Sequence, residues 1–166
     1  ASALHDIGKI SIPDEILNKP GRLTAEEFAV IKGHSMAGAN MLSELPLDQK
    51  EEPLVKTAYE ICRWHHERYD GGGYPDGLKG EEIPVSAQVV ALADVYDALT
   101  SERCYKDAYS HEKAIEMILA GQCGAFNPLM LECLLDISSS LKKKMGYKSK
   151  ERYEQTCLLY TSDAAD

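Results

Sequence analysis

The sequence predicts an all-α fold in one domain. Apolar residues recur at helical spacing in several segments, and signals for the start of a helix precede most of them. Neither the alternation of apolar and polar residues that is typical of a half-buried strand nor an internal repeat is found. The 166 residues, 44% of them hydrophobic, are enough to build a single sizeable core.

The first strong helix signal is at Thr24, which opens a capping box with Glu27 at the third helical position. Apolar residues follow at helical spacing, namely Phe28, Ile31, Met41, Leu42 and Leu45. Gly33 and Gly38 flank His34, so this segment is predicted to be either one helix or a broken pair.

A second amphipathic helix is predicted to begin at Pro53, because proline is favoured in the first helical turn. Its apolar residues are Val55, Ala58, Tyr59 and Cys62, and it ends at the pair His65–His66. Residues 70–84 are rich in glycine and proline, which end periodic elements. They are therefore expected to form a long irregular loop.

Residues 85–101 are apolar around most of the helical circumference, which predicts a central, buried helix. Asp94 and Asp97 interrupt this segment. A buried carboxylate is costly unless it is paired or bound to a metal, so Asp94 is a candidate ligand. The alternative is that Asp94 lies on an exposed face or accepts a hydrogen bond from a neighbouring loop.

Two further helices are expected towards the end of the chain. Ser110 is predicted to cap a helix over residues 111–119, and Gly121 ends it. Asn127 precedes Pro128 at the start of another helix, which runs to about Lys144.

The composition excludes some partners. A net charge of -9 argues against DNA or RNA polymers, since their binding depends on many Lys and Arg contacts to phosphate, but it does not exclude a small phosphate ester. The five cysteines form an odd set without CxxC spacing, as expected for reduced thiols in the cytoplasm. No signal peptide or long apolar run is present, so no membrane contact is expected from this stretch of chain.

Both ends suggest a fragment. The chain begins at Ala1, four residues before its first histidine, and closes with a run of small and acidic residues at 161–166. We expect upstream helices to be missing and the closing run to be non-native.

Four of the five histidines belong to one set of nitrogen and carboxylate donors. Taken alone, each histidine is more often structural than a ligand. Together, the donors favour a first-row metal such as Fe, Mn, Zn, Ni or Co. Six donors exceed what one ion with an open position needs, whereas a carboxylate such as Asp6 can bridge two ions. The set is His5, Asp6, His34, His65, His66 and Asp94.

These residues lie in longer strings that resemble the HD-GYP subgroup of the HD-domain phosphohydrolases. The strings are H-D-I-G-K at 5–9, H-H-E-R-Y-D-G-G-G-Y-P at 65–75 and A-D-V-Y-D-A-L-T-S at 93–101. The resemblance covers residues 4–128 and implies an HD-domain helical bundle, truncated at its N-terminus, with a long GYP loop. Residues 1–146 are expected to be this domain, and residues 147–166 a C-terminal segment.

The resemblance also implies roles for individual residues. The six donors would bind metal, with Asp6 bridging, and Lys9 would act with Asp6 in catalysis near the scissile phosphate. Arg103 and Lys106 would join Lys9 in binding substrate phosphates, although Cys104 stands where the family commonly has proline. The loop Gly73, Tyr74 and Pro75 offers no nucleophile, so it is either a turn with special geometry or a border of the site that engages partner domains.

The implied activity is hydrolysis of cyclic di-GMP to pGpG, and more slowly to GMP, in bacterial second-messenger signalling. Two or three divalent metal ions would be the cofactors, with Fe or Mn favoured. Expected partners are GGDEF-type, receiver or sensor domains, and a dimer is left open. Two alternatives are also left open, a phosphohydrolase for another cyclic dinucleotide or nucleotide, and a regulatory module that binds without catalysis.

Overall fold

The computed structural model describes residues 1–102 and 107–144. Every regular element in these residues is helical and none is a strand, so the predicted all-α class is confirmed. The chain divides into two units, Ala1–Met130 and Leu131–Asp166. In the second unit the described residues, 131–144, are helical. Arg103, Lys106 and the predicted segment 147–166 lie outside the described residues.

The first unit contains six α-helices that are bounded within it. They are α1 (Asp14–Leu17), α2 (Ala25–Ser43), α3 (Leu47–Lys50), α4 (Pro53–Trp64), α5 (Val85–Thr100) and α6 (His111–Leu119). Short 3₁₀ segments occupy Ser2–Leu4, Ile7–Ser11 and Gly80–Glu82. Residues 128–130 are helical as well. Among the described residues, no helix is both long and apolar enough to span a bilayer.

Helix α2 is continuous, which decides between the two predicted alternatives. The Thr24 hydroxyl accepts from the amide of Glu27 at 3.2 Å, and the Glu27 carboxylate accepts from the amide of Thr24 at 2.7 Å. These are the two reciprocal bonds of the predicted capping box. The helix then passes through Gly33 and Gly38 without a break.

The buried face of α2 consists mostly of small and polar residues, and Leu42 is the predicted apolar position that belongs to it. Its buried residues are His34, Ser35, Gly38, Ala39 and Leu42. Phe28 and Met41 are instead 48% and 37% exposed. Small and polar side chains line the inner face of this helix, which lets other elements approach its backbone.

Helices α2 and α4 pack through a compact cluster formed by Ala39, Leu42, Ala58 and Cys62. The thiol of Cys62 is buried and donates to the main-chain oxygen of Leu4 at 3.1 Å. This bond attaches the start of the chain to α4. Burial raises the pKa of the Cys62 thiol to about 11, and the described cysteines are free thiols, as predicted.

The 3₁₀ segment Ile7–Ser11 lies directly on α2 at Gly8. A Cβ atom on Gly8 would stand 2.0 Å from the main-chain oxygen of His34 and 2.5 Å from the nitrogen of Gly38. Real Cβ atoms do not come that close, so only glycine allows this contact. The contact places the chain around Asp6 beside the inner face of α2.

Helix α5 is buried or half-buried over most of its circumference, as predicted, but it carries one exposed stripe. Val85 is 58% exposed and Val89 49%, and Ala93 and Asp97 are exposed as well. These residues are four apart and therefore form one solvent-facing stripe. The buried residues of α5 are Ala87, Gln88, Ala91, Leu92, Tyr96, Leu99 and Thr100. Asp94 lies beside the exposed stripe, and its side chain is 34% exposed.

Two of the predicted caps are confirmed. The Ser110 hydroxyl accepts from the amide of Lys113 at 3.2 Å at the start of α6. The Asn127 carbonyl oxygen accepts from the amide of Leu129 at 3.0 Å. The Asn127 amide group also donates to Gln88 at 2.9 Å, which connects this cap to α5.

The contact at Gly8 yields a first prediction. Gly8→Ala is expected to lower the free energy of unfolding by about 1–3 kcal/mol, because the added methyl group would overlap the α2 backbone. Urea denaturation followed by circular dichroism measures this change.

Gly33→Ala is the matched control, since a Cβ at Gly33 would meet no atom within 4 Å. Alanine is expected to raise stability there by about 0.5–1 kcal/mol, as in an exposed helix interior. Equal effects of the two substitutions would contradict the proposed close packing at Gly8.

Candidate metal centre

Four histidines and two aspartates predicted as ligands come from four separate elements of the first unit. His5 and Asp6 lie between two 3₁₀ segments, His34 lies in the middle of α2, His65 and His66 follow the last residue of α4, and Asp94 lies in α5. His34 and His65 are each 1% exposed. Their burial in the closely packed interior fixes where these two rings stand.

Hydrogen bonds to the backbone orient three of the imidazole rings. Nδ1 of His5 donates to the oxygen of Ser2 at 2.8 Å, Nδ1 of His34 to that of Ile31 at 2.6 Å, and Nδ1 of His65 to that of Ile61 at 2.8 Å. A carbonyl oxygen only accepts, so each Nδ1 must carry the proton. The opposite nitrogen, Nε2, is thereby directed towards the other site residues.

The Nε2 atoms of His34 and His65 lie 3.4 Å apart. Burial lowers the pKa of His34, and it lowers that of His65 to about 4, so both rings are neutral near pH 7. With Nδ1 protonated in both rings, two lone pairs face each other and no hydrogen bond can join them. This spacing suits a shared cation, because bonds from a metal to imidazole are about 2.0–2.1 Å long.

His66 joins these two rings. One donor atom from each of His34, His65 and His66 fits within a span of 4.8 Å. Burial lowers the pKa of His66 to about 2, which keeps its ring neutral and able to bind a metal.

Asp6 connects the histidine cluster to the remaining predicted ligands. Its Oδ1 lies 3.3 Å from Nε2 of His34, and its Oδ2 lies 3.3 Å from Nε2 of His5 and 2.5 Å from Nζ of Lys9. Burial opposes ionisation of Asp6, but hydrogen bonds from His5 and Lys9 outweigh it and hold its pKa well below the usual range. The buried Oδ1 has no hydrogen-bond partner among the described residues. An unpartnered carboxylate oxygen beside a histidine lone pair fits the binding of a cation.

Asp94 lies beside His5. Its Oδ1 is 3.8 Å from Nε2 of His5. The hydrogen bond between His5 and Asp6 raises the pKa of His5, and the charge of Asp94 adds to this effect. The structure thus brings all six predicted donors into one connected group, together with Lys9.

The glycine-rich loop is attached to the end of α4 by Glu67. The Glu67 side chain is 3% exposed, and its Oε1 accepts from the amides of Asp76 and Gly77 at 2.8 and 3.0 Å. A Cβ on Gly73 would stand 2.4 Å from the Cα of Glu67, so the loop backbone lies directly against this residue. Gly73 therefore serves the shape of the loop, in agreement with one of the two predicted roles.

A second attachment uses the side chain of Asp76. It accepts from Arg63 through Nε at 2.8 Å and Nη2 at 3.0 Å, and from the indole Nε1 of Trp64 at 2.7 Å. Paired bonds between a guanidinium and a carboxylate fix both position and angle. The loop is thus held to the last turn of α4, immediately before the two histidines.

Tyr74 borders the candidate metal centre. Its ring stacks on His66 with centroids 4.8 Å apart and an interplanar angle of 26°, and its amide donates to the oxygen of His66 at 3.2 Å. The next peptide bond, to Pro75, is cis. The loop therefore forms one wall of the site. This is the position expected for a loop that borders the site.

The sequence analysis missed Glu67 and Asp76, although Glu67 carried a signal. Glu67 is a carboxylate directly after the histidine pair, and the loop that follows has many amides in need of acceptors. Arg103 and Lys106, predicted to bind phosphate, lie outside the described residues.

The chain is similar to known proteins over most of its length. Residues 1–126 match the family model described as HD domain. Over 141 residues the chain is 47% identical to a probable cyclic di-GMP phosphodiesterase of Vibrio cholerae, covering 81% of this chain and 31% of that protein. It is 43% identical over 141 residues to a cyclic di-GMP phosphodiesterase of Thermotoga maritima, covering 85% and 37%.

A third relative carries a different substrate in its name. The chain is 43% identical over 136 residues to 3'3'-cGAMP-specific phosphodiesterase 2 of Vibrio cholerae, covering 82% of this chain and 25% of that protein. The chain spans between a quarter and two fifths of the length of these three relatives.

The position of Asp6 yields a second prediction. Asp6→Asn is expected to weaken the binding of Mn(II) or Zn(II) at least about tenfold, because it removes the negative charge between His5 and His34. Equilibrium dialysis with elemental analysis measures the bound metal.

Asp97→Asn is the control, since Asp97 lies on the same helix as Asp94 but on its exposed stripe. It is expected to bind metal like the unmodified protein. If Asp6→Asn bound as much metal as Asp97→Asn, the assignment of Asp6 as a ligand would be wrong.

The contacts of Glu67 yield a third prediction. Glu67→Ala is expected to speed hydrogen exchange at the amides of Asp76 and Gly77 roughly tenfold or more, because both lose a charged acceptor. Exchange followed by NMR resolves these amides. Glu81→Ala, which removes an exposed carboxylate at the far end of the same loop, should leave both rates unchanged.

Proposed function

The chain belongs to the HD domain family, and we propose that it is the catalytic domain of a metal-dependent phosphodiesterase that hydrolyses cyclic di-GMP. The observation that carries this proposal is that Asp6 contacts His5, His34 and Lys9. The other three candidate donors lie beside these histidines, Asp94 at His5 and the pair His65 and His66 at His34. Relatives named as cyclic di-GMP phosphodiesterases support the choice of substrate.

We assign the metal ligands as the six donors of the candidate metal centre, which are His5, Asp6, His34, His65, His66 and Asp94. Neutral imidazole and carboxylate donors suit Fe or Mn, and they also accept Zn, Ni or Co. Asp6 is proposed to bridge two ions, because its two oxygens face different histidines. The number of ions is proposed to be two or three.

Divalent ions held by these residues would supply Lewis-acid stabilisation of the phosphoryl oxygens and lower the pKa of water. In the hydrolysis, water adds to phosphorus, one P–O bond to a ribose oxygen breaks, and that oxygen receives a proton. Lys9 is proposed to assist the reaction. Its ammonium lies 2.5 Å from Asp6 Oδ2, and its side chain is 40% exposed, which leaves it accessible to a substrate. A cation there stabilises the charge that develops on the departing oxygen.

The loop contributes shape to this site. Tyr74 stacks on His66, and Glu67 and Asp76 fix the loop to α4, so the wall beside the histidines is rigid. Arg103 and Lys106 are proposed to bind substrate phosphates. Linear pGpG is the proposed first product, with slower cleavage to GMP.

Another cyclic dinucleotide is the second candidate substrate. The chain is 43%, 34% and 37% identical to three relatives named as 3'3'-cGAMP-specific phosphodiesterases. The first of these identities equals that of two relatives named for cyclic di-GMP. The chemistry at the metals would be the same for both messengers. Only contacts to the bases distinguish them.

The proposed activity fits a cytoplasmic protein of bacterial second-messenger signalling. A domain that destroys such a messenger is proposed to work with GGDEF-type, receiver or sensor domains in the whole protein. Dimerisation stays a prediction from the family resemblance.

The experiment is an anaerobic assay of the purified chain with cyclic di-GMP and either Mn(II) or Fe(II), with pGpG and GMP separated by chromatography. We expect pGpG first and GMP later, and no product with a chelator or with Asp6→Ala. Lys9→Gln is expected to lower kcat roughly 100-fold.

Asp97→Asn serves as the control and should turn over at the unmodified rate. Metal binding without cleavage of any cyclic dinucleotide would refute the catalytic proposal and favour the regulatory alternative. Cleavage of 3'3'-cGAMP in strong preference to cyclic di-GMP would replace the first substrate by the second.

A further inference from the structure

A cation and two aromatic rings form a cluster at the edge of the metal centre. Nζ of Lys32 lies 5.4 Å from the ring centroid of Phe28 and 5.7 Å from that of Tyr74. Phe28 and Lys32 belong to α2, while Tyr74 belongs to the glycine-rich loop. Because Tyr74 stacks on His66, this cluster reaches the rim of the histidine site.

Packing among the described residues does not account for the cluster. Phe28 is 48% exposed although it is a large apolar ring. Lys32 forms no ion pair with a carboxylate in the part of the chain that the structure describes. The aromatic ring of Phe28 and the ammonium group of Lys32 therefore lie together beside the site. A ligand could stack on the ring and accept hydrogen bonds from the ammonium.

The position fits a particular part of the proposed substrate. A base and its phosphate are joined through one ribose, so a base must lie next to the metal centre when a phosphate is held there. Aromatic side chains bind bases by stacking. Lysine donates to the O6 and N7 acceptors of guanine, whereas adenine presents an amino donor in place of O6.

We propose that Phe28 and Lys32 form a guanine subsite, in which Phe28 stacks on the base and Lys32 donates to its O6 and N7 atoms. The inference rests on the proposed function and deepens it, since it names residues that select the messenger. Lys32 then favours cyclic di-GMP over a messenger with adenine at this position.

Phe28→Leu tests the stacking contact. It keeps an apolar side chain but removes the ring, so KM for cyclic di-GMP is expected to rise about tenfold with little change in kcat. The loss in kcat/KM should be at least about fivefold smaller for bis(p-nitrophenyl) phosphate, a phosphodiester without a purine. Val30→Ala removes another exposed apolar side chain of α2 and should match the unmodified protein on both substrates.

Lys32→Gln tests the choice of base. Glutamine pairs with the N6 and N7 atoms of adenine, so the ratio of kcat/KM for cyclic di-GMP to that for cyclic di-AMP is expected to fall about tenfold. Lys32→Arg should keep the ratio, because arginine also donates to O6 and N7. Lys113→Gln, which changes an exposed lysine of α6, is the matched control.

The outcomes separate this inference from the proposed function. A protein that cleaves bis(p-nitrophenyl) phosphate but not cyclic di-GMP would refute the proposed substrate, and the guanine subsite with it. Normal cleavage of cyclic di-GMP with Phe28→Leu equal to Val30→Ala would refute the subsite alone. An equal loss for both messengers in Lys32→Gln would show that Lys32 contributes charge and does not read the base.

Discussion

The hydrogen bonds from imidazole Nδ1 to main-chain oxygens are the constraint on which the candidate metal centre depends. His34 and His65 each donate to a carbonyl in the preceding turn of their own segment. Each bond fixes both the protonated nitrogen and the direction of the ring. Since the acceptors belong to helical backbone, the two Nε2 atoms are placed as accurately as the helices that carry them.

Close backbone contacts then bring those helices and the 3₁₀ segment together. Gly8 lies on α2 at His34 and Gly38, and Gly73 lies against Glu67. Each contact places one part of the site relative to another, Asp6 beside His34 in the first case and the loop beside His66 in the second. The small residues on the inner face of α2 are thus part of the construction of the site, and a larger core side chain there would move its ligands.

Much of the fold was predictable because the signals were local. The capping box at Thr24, the proline at the start of α4 and the serine cap of α6 depend only on neighbouring residues, and all three predicted the helix that follows. The exposed stripe of α5 was not predictable in this way. Its apolar residues surround the helix, so only the tertiary contacts decide that the Val85 and Val89 stripe faces solvent.

The same distinction between local signals and tertiary contacts applies to the residues of the site. The histidines and aspartates were identifiable because their residue types and order carry the chemistry. Glu67 and Asp76 act through loop amides and side chains nine or more residues away in sequence, as with Glu67 to Gly77 and Asp76 to Arg63. Such pairings depend on the path of the loop, which composition alone does not define.

Trp64 is the only tryptophan of the chain, and it donates to Asp76 of the loop from the residue before His65. The tryptophan fluorescence of the chain therefore originates at the junction between α4 and the loop. Arg63 lies near the same indole, with its guanidinium carbon 5.8 Å from the ring. The emission spectrum of this tryptophan therefore reports whether the loop is attached to α4 beside the histidines.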